Sequence, residues 1–260
     1  MSAARKKYAF MGGLPRSGNT LLSALLNQNP AVHAGPNSLL PEAMWRLWTL
    51  RDTNWMKIFP DYRSWKNMLS SLFDSYYADT KAEWIIDRGP WGLQNNLGIL
   101  KTFVEPRPKF IVPLRPVEEV AASFLRLTYL RADDKDIDAA ITELMDDNFI
   151  LAKSLASAKN IVLSHDPELV HIVHYSDLVS NPEAELARLY AFLGLEPFRH
   201  NTQNVGQFRV NDVRYIDKID TLPGMHKLKD GGITGPAYSV NEYVPQHWLD
   251  RLQSMNFWLK

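Results

Sequence analysis

The chain has 260 residues, 45% of them apolar, which is enough to bury a large core. Its 29 Lys and Arg residues balance its 29 Asp and Glu residues, so no overall charge directs it to nucleic acid or to an acidic membrane surface. It contains no cysteine, which excludes disulfides, thiolate nucleophiles and cysteine-ligated metal sites.

Short apolar segments alternate along the chain with longer segments of helical period. This pattern predicts an α/β fold, with a central, mainly parallel sheet flanked by helices, in a single domain spanning residues 1–260. The apolar run Tyr8–Met11 is too short for a signal peptide, and no stretch approaches the roughly 20 apolar residues that cross a bilayer. We therefore expect a soluble, cytoplasmic protein.

The first predicted strand, Tyr8–Met11, leads into a glycine-rich loop and then into a helix with apolar residues from Leu21 to Leu26. A strand, a loop and a helix in this order are typical of a phosphate-binding loop, because the N–H groups of a helix N-terminus can bind an anion. The residues expected to bind the anion are Pro15, Arg16, Ser17, Gly18, Asn19 and Thr20.

Asn19 stands where loops that bind nucleoside triphosphates have lysine, and the cation of this loop is Arg16 instead. A triphosphate with Mg²⁺ would lack a major charge partner here, whereas Arg16 could still hold a single phosphate or a phosphosulfate. A glycine turn capped by Ser17, with no ligand, is the structural alternative.

The next predicted strands are Ala31–His33 and Trp84–Ile86, with an amphipathic helix from Leu40 to Trp48 between them. Asp87 and Arg88 directly follow the third strand. They are either functional residues at a strand end or ordinary solvated charges.

The fourth predicted strand is Phe110–Leu114, although Pro113 weakens the assignment because proline cannot donate a ladder hydrogen bond. Arg115 follows the strand, and a helix from Val117 to Leu125 contains Ser123. The fifth strand, His171–His174, precedes Tyr175. The last elements are a helix at Glu185–Leu193, ended by Gly194, and a long loop at Pro223–Pro245 that we expect to be functional.

The run from Gly13 to Leu22 resembles the first loop of sulfotransferases that use 3′-phosphoadenosine-5′-phosphosulfate (PAPS), which reads roughly P-[KR]-S-G-[TSN]-T. In that family the loop holds the 5′-phosphosulfate of the donor. The arginine form, followed by Asn29 and Pro30, is closer to the tyrosylprotein and carbohydrate branch than to the cytosolic aryl branch. The resemblance implies a P-loop-like fold and PAPS as co-substrate without a metal.

Further landmarks of the same family extend the resemblance over roughly residues 8–194. They imply that Arg115 and Ser123 bind the 3′-phosphate, which suits a guanidinium and a hydroxyl. Arg88 falls at the position of the family's catalytic lysine, and Tyr175 becomes a candidate contact to the nucleotide. Arg115 as a strand-end ion pair, and Tyr175 as a core residue, are the structural alternatives.

The group that removes the acceptor's proton is not evident. Protein-tyrosine members use a glutamate about twenty residues after the loop arginine, but Pro36 and Asn37 stand near that position. The nearest candidates are His33 and Glu42. Histidine has the better unperturbed pKa for a base near neutral pH.

The sequence therefore predicts transfer of a sulfonate group from PAPS to an unidentified small molecule, sugar or peptide, with no nucleic-acid or membrane partner. Arg16 and Arg88 would stabilise the leaving phosphate, and the loop around Lys227 would close over the nucleotide. A group of tryptophans could line a sugar or hydrophobic site but fits the core better: Trp45, Trp48, Trp55, Trp65 and Trp91.

Two other functions remain open. One is a P-loop kinase in which Asp87 binds the metal, although Asn19 argues against it. The other is a nucleotide-binding module without catalysis, which the missing glutamate favours. Turnover with any acceptor would exclude that second alternative.

Overall fold

A parallel sheet of five strands forms the centre of the protein. The computed structural model describes residues 6–129, 136–207, 209–210, 213–214, 228 and 231–259. The strands are β1 (Lys7–Met11), β2 (Val32–Asn37), β3 (Trp84–Arg88), β4 (Lys109–Leu114) and β5 (Val170–His174). Their order is β2-β3-β1-β4-β5, and every pair is parallel. The predicted α/β class and all five predicted strands are confirmed.

In the described segments, eleven α-helices accompany the sheet. They are α1 (Asn19–Leu26), α2 (Leu40–Thr49), α3 (Asn54–Ile58), α4 (Tyr62–Tyr76), α5 (Gln94–Phe103), α6 (Val117–Tyr129), α7 (Ile137–Leu144), α8 (Ile150–Ser164), α9 (Tyr175–Ser180), α10 (Pro182–Leu193) and α11 (Gln246–Ser254). None of them is both long and apolar enough to cross a membrane. A short antiparallel pair, β6 (Arg209–Val210) and β7 (Val213–Arg214), lies outside the main sheet.

The alternation of side chains along β1 explains how both faces of the sheet are covered. Phe10 joins a core cluster with α2, α4–α8 and α11, whereas Ala9 and Met11 join a second cluster with α1, α9 and α10. Burying a side chain as large as Phe10 contributes about 1.5–3 kcal/mol. The single-domain organisation over residues 1–260 stays a prediction, and the packing of α11 on α6 agrees with it.

Pro113 lies within β4 without breaking it. The pairing of β1 with β4 ends at Met11 and Ile111, and the Pro113 carbonyl accepts a hydrogen bond from the Leu14 N–H at 3.0 Å. The N–H and C=O of one extended residue point to the same side, so the missing N–H of Pro113 faces the loop after β1. The pairing of β4 with β5 therefore loses no hydrogen bond.

The strand order places a crevice at the carboxyl edge of the sheet. From β1 the chain builds β2 and β3 on one side and β4 and β5 on the other, so connections leave β1 and β4 in opposite directions. Open sheets of this kind bind ligands at such a switch point. The register also sets Met11 and Asn37 beside Arg88 at this edge.

Candidate active site at the carboxyl edge of the sheet

The glycine-rich loop after β1 is fixed to the end of β4. A Cβ atom on Gly13 would lie 2.3 Å from the Pro113 carbonyl oxygen, so only glycine fits there. The Ser17 side chain is fully buried, and its hydroxyl lies within hydrogen-bond distance of the carbonyl oxygens of Leu14 and Pro113. The Asn19 amide donates to the Leu14 carbonyl at 2.6 Å. Ser17 therefore braces the loop, and its side chain does not line the cavity that the loop borders.

That cavity, here called the loop cavity, has a volume of about 200 Å³. Gly18 caps α1 with φ +85°, and no side chain caps the first turn, so the N–H groups there suit an anion. The loop and α1 line it with Pro15, Arg16, Gly18, Asn19, Thr20 and Leu21. The strand ends and helices add Asn37, Arg88, Arg115, Ile150 and Tyr175, and the coil after α10 adds Val205.

Arg16, Arg115 and Ser123 meet at one side of the loop cavity. The Arg115 side chain is 4% exposed, and its Nη1 donates to the Arg16 carbonyl at 3.2 Å. The Arg16 Nε donates to the Ser123 hydroxyl at 3.0 Å. The Arg115 Nε donates to the carboxylate of Glu119 at 2.9 Å, and the Glu119 side chain is 34% exposed. The cluster suits an anionic ligand with several oxygens.

Tyr175, the first residue of α9, covers this cluster. The guanidinium carbon of Arg115 lies 4.4 Å from the centre of the Tyr175 ring. Burial raises the pKa of the Tyr175 hydroxyl, and the charge of Arg115 opposes that shift. The ring is therefore a neutral wall of the cavity at neutral pH.

Arg88 and Asp87 end β3 but lie in different environments. Arg88 lines the loop cavity and also a second cavity on its other side. The Asp87 carboxylate is fully buried and accepts hydrogen bonds from Ser38 at 3.0 Å, Tyr77 at 2.5 Å and Trp91 at 2.6 Å. Since Asp87 lines neither cavity, its placement argues against the metal-binding role of the kinase alternative. The hypothesis that both are surface charges is wrong for Asp87.

Asp87 gives the stability of the protein a pH dependence that can be tested. Burial raises its pKa from 3.8 to about 6, although its three hydrogen bonds oppose the shift. Between about pH 4 and pH 6 the folded state thus binds this proton more tightly than the unfolded state. Below pH 4 the protonated Asp87 contributes about 3 kcal/mol to the free energy of unfolding, relative to its ionised form. This contribution is lost as the pH rises through 6.

Urea unfolding from pH 4 to pH 7 measures this loss. The Asp87→Asn variant should lack the step, whereas the control Asp79→Asn, which removes an exposed carboxyl near the end of α4, should keep it. The same pH slope in Asp87→Asn and in the wild type would contradict the assignment.

The two residues considered as bases lie outside both cavities. His33 is four residues before Asn37 on β2, and its ring packs at 5.6 Å from that of Tyr77. Burial lowers the pKa of His33. Glu42 is exposed on α2 and pairs with Arg46 at 2.6 Å. Lys227 lies outside the described residues.

The second cavity, here called the α8 cavity, has a volume of about 280 Å³. It shares Pro15, Asn37, Arg88 and Ile150 with the loop cavity, and its walls include backbone of the glycines after β1 and β3. Residues from the start of α8 complete it. Helix α8 is not among the helices predicted from the sequence, although Leu151, Leu155, Ala158 and Val162 have helical spacing.

The described part of the predicted C-terminal loop also borders the loop cavity. Its lining residues are Leu228, Gly231, Gly232, Ile233 and Thr234. The glycine pair Gly231 and Gly232 is the sequence feature that marks this segment as a loop, but its position beside the loop cavity depends on tertiary contacts.

None of the five tryptophans considered for an acceptor site is among the described residues that line either cavity. Trp65 and Trp91 belong to the core.

A family model described as "Sulfotransferase family" matches residues 9–200. The chain is 22% identical over 220 residues to protein-tyrosine sulfotransferase A of Caenorhabditis elegans, covering 77% of this chain and 54% of that protein. It is 24% identical over 198 residues to a putative protein-tyrosine sulfotransferase of Caenorhabditis briggsae, covering 72% and 65%. The chain thus spans about half to two thirds of these relatives.

Two solved structures have the same fold. The sulfotransferase domain from the curacin biosynthetic pathway has a TM-score of 0.61 at 16% identity, with 97% of this chain and 98% of that chain covered. The sulfotransferase domain from the Synechococcus PCC 7002 olefin synthase has a TM-score of 0.56 at 19% identity, with 98% and 96% covered. At these identities the similarity concerns the fold alone.

Proposed function

We propose, because the chain belongs to the sulfotransferase family, that it transfers a sulfonate group from PAPS to an acceptor, with release of adenosine 3′,5′-bisphosphate. The observation that carries the proposal is the group formed by the buried Arg115 and Ser123 and the half-buried Arg16, beside the N-terminus of α1, which no side chain caps. Two anion sites side by side match a donor with phosphate groups at both ends of its ribose.

The residues of the loop cavity fit such a donor. Arg115 and Ser123 would bind the 3′-phosphate, as the family resemblance implies. Among the described residues, the Arg115 Nη2 has one hydrogen-bond contact, a long one of 3.5 Å with the Tyr238 hydroxyl, so it can turn to a phosphate oxygen. The sequence pattern predicts Arg16 at the leaving phosphate, but its Nε donates to the Ser123 hydroxyl. We therefore assign its side chain to the 3′-phosphate as well.

The remaining roles follow from position. A bound PAPS supplies a sulfonate whose S–O bond to the 5′-phosphate breaks when an acceptor attacks. The first turn of α1 holds the phosphate end of that bond. Arg88, on the boundary of the two cavities, stabilises the negative charge that grows there. His33 and Glu42 line neither cavity, and the proposal gives them no part in proton removal.

A thermal-unfolding experiment separates this function from the kinase alternative. In excess chelator, adenosine 3′,5′-bisphosphate should raise the melting temperature, because a ligand at about 100 times its Kd stabilises the folded state by about 2.7 kcal/mol. ATP should have little effect, since Asn19 offers no cation to the γ-phosphate. Stabilisation by Mg²⁺ with ATP, but not by the bisphosphate, would overturn the proposal. Turnover of PAPS excludes the non-catalytic module.

Within the described ranges no cluster of three or more His, Asp or Glu side chains could hold a metal ion. The curated relatives are named for transfer to protein tyrosine, which makes a tyrosine peptide one candidate acceptor. The cytoplasmic location and the lack of nucleic-acid and membrane partners stay predictions.

A further inference from the structure

The α8 cavity lies where an acceptor would have to approach. It adjoins the loop cavity at Pro15, Asn37, Arg88 and Ile150. In-line displacement requires the attacking oxygen to lie opposite the leaving oxygen, on the far side of the transferred group. A donor in the loop cavity with its leaving oxygen near Arg88 leaves the α8 cavity for the acceptor. At about 280 Å³ this cavity is near the lower limit for small-molecule sites.

The lining of the α8 cavity is positively charged. It includes two cations, Arg88 and Lys153, and no described residue that lines it is a carboxylate. Lys153 is exposed on the first turns of α8, and no described carboxylate pairs with it. Asn148 and Ser154 lie on the same rim and add hydrogen-bonding side chains. An anionic group on the acceptor would therefore find donors and no repulsion.

The composition of this rim favours a carboxylate over a phosphate. One lysine with an amide and a hydroxyl supplies one charge and several hydrogen bonds, which matches a planar monoanion. A phosphate dianion is usually bound by more cations, as in the cluster around Arg115. No aromatic side chain among the described residues lines the cavity, so a stacked sugar ring has no platform.

We propose that the α8 cavity binds a small hydroxylated carboxylate as acceptor, and that Lys153 selects it by pairing with its carboxylate group. This inference rests on the sulfotransferase function proposed above. Lys153 holds the carboxylate at the rim while the hydroxyl points inward to Arg88. The hydroxyl oxygen forms the new bond to sulfur, the electron pair of the broken S–O bond stays on the 5′-phosphate, and the hydroxyl proton passes to water.

Matched acceptors that differ only in charge test the inference. The pairs are 4-hydroxyphenylacetate with 4-hydroxyphenylacetamide, and 3-hydroxybutyrate with 3-hydroxybutyramide, each assayed with radiolabelled PAPS. The wild type should prefer the carboxylate of at least one pair by about tenfold in kcat/KM, mainly through KM, as expected for one charged contact. Lys153→Met should abolish the preference without changing use of the amide. The control Lys159→Met, on the same helix but outside the cavity, should keep it.

Calorimetry tests the carboxylate site independently of the proposed sulfotransferase function. The same carboxylates and amides are titrated into protein saturated with adenosine 3′,5′-bisphosphate, where no transfer occurs, and into protein without nucleotide. Failure of the bisphosphate to bind would count against the proposed function. The titrations without nucleotide would still show whether the α8 cavity binds the carboxylates more tightly than the amides.

Three results would overturn the inference itself. The first is equal use and binding of carboxylate and amide by the wild type, including no binding of either. The second is an undiminished preference in Lys153→Met. The third is efficient transfer to a tyrosine peptide that Lys153→Met leaves unchanged, while the small carboxylates are not used.

Discussion

Replacement of Arg115 by alanine is expected to weaken binding of adenosine 3′,5′-bisphosphate by about 2–4 kcal/mol, or roughly 30- to 1,000-fold. The effect is large because the guanidinium is buried and its ligand contact is charged on both sides. Adenosine 5′-monophosphate lacks the 3′-phosphate, so its affinity should hardly change. Calorimetric titration of both nucleotides gives the difference, which cancels any general disturbance of the site.

Arg126 offers a matched control for this experiment. It lies on α6, the helix that begins two residues after Arg115, stacks over Tyr238 at 5.1 Å and is exposed, but it does not line the loop cavity. The Arg126→Ala variant should bind both nucleotides as the wild type does. Equal losses for the two nucleotides in Arg115→Ala would show that Arg115 does not recognise the 3′-phosphate.

Replacement of Arg88 by alanine is expected to slow the chemical step by about 100- to 1,000-fold, while binding of the bisphosphate changes little. The reason is that the charge facing Arg88 grows as the S–O bond breaks, so its contact is stronger in the transition state than in the ground state. Single-turnover kinetics at saturating PAPS separates this step from binding.

The Arg88→Lys variant is the corresponding control, because lysine restores the positive charge, and the family resemblance implies a lysine at this position. It should recover a substantial part of the lost rate. An Arg88→Ala variant that binds donor weakly but keeps its rate at saturation would assign Arg88 to binding alone. An Arg88→Lys variant as slow as Arg88→Ala would mean that the planar guanidinium is required.

The local features of the fold could be predicted from the sequence because they depend on neighbouring residues. Apolar strands bounded by glycine, proline or charge set the five strand positions, and the order of strand, loop and helix set the location of the phosphate loop. Proline is unfavourable within a strand because it lacks the N–H that a ladder hydrogen bond needs, so Pro113 weakens the prediction of β4. Its tolerance depends on where β1 ends, and this information lies a hundred residues away in the chain.

The rest of the site depends on contacts between distant segments. The Arg16 Nε donates to the Ser123 hydroxyl, 107 residues away in the chain. The α8 cavity needs α8 to pack beside the ends of β1 and β3, and no motif marks Lys153 or Asn148. Asp87 was visible as a strand-end acid, but its three hydrogen-bond donors come from separate elements.

The conformation of the glycine-rich loop has a consequence for the kinetics of nucleotide association. Arg16 has φ +62°, an unfavourable backbone conformation for a residue with a side chain. The loop keeps it through the hydrogen bonds of Leu14 with Pro113 and of Arg115 with the Arg16 carbonyl, neither of which involves a ligand. The free-energy cost of this strained conformation and of ordering the loop is thus part of folding, before any nucleotide binds. Encounter with the nucleotide is then limited by diffusion and charge rather than by rearrangement of the loop.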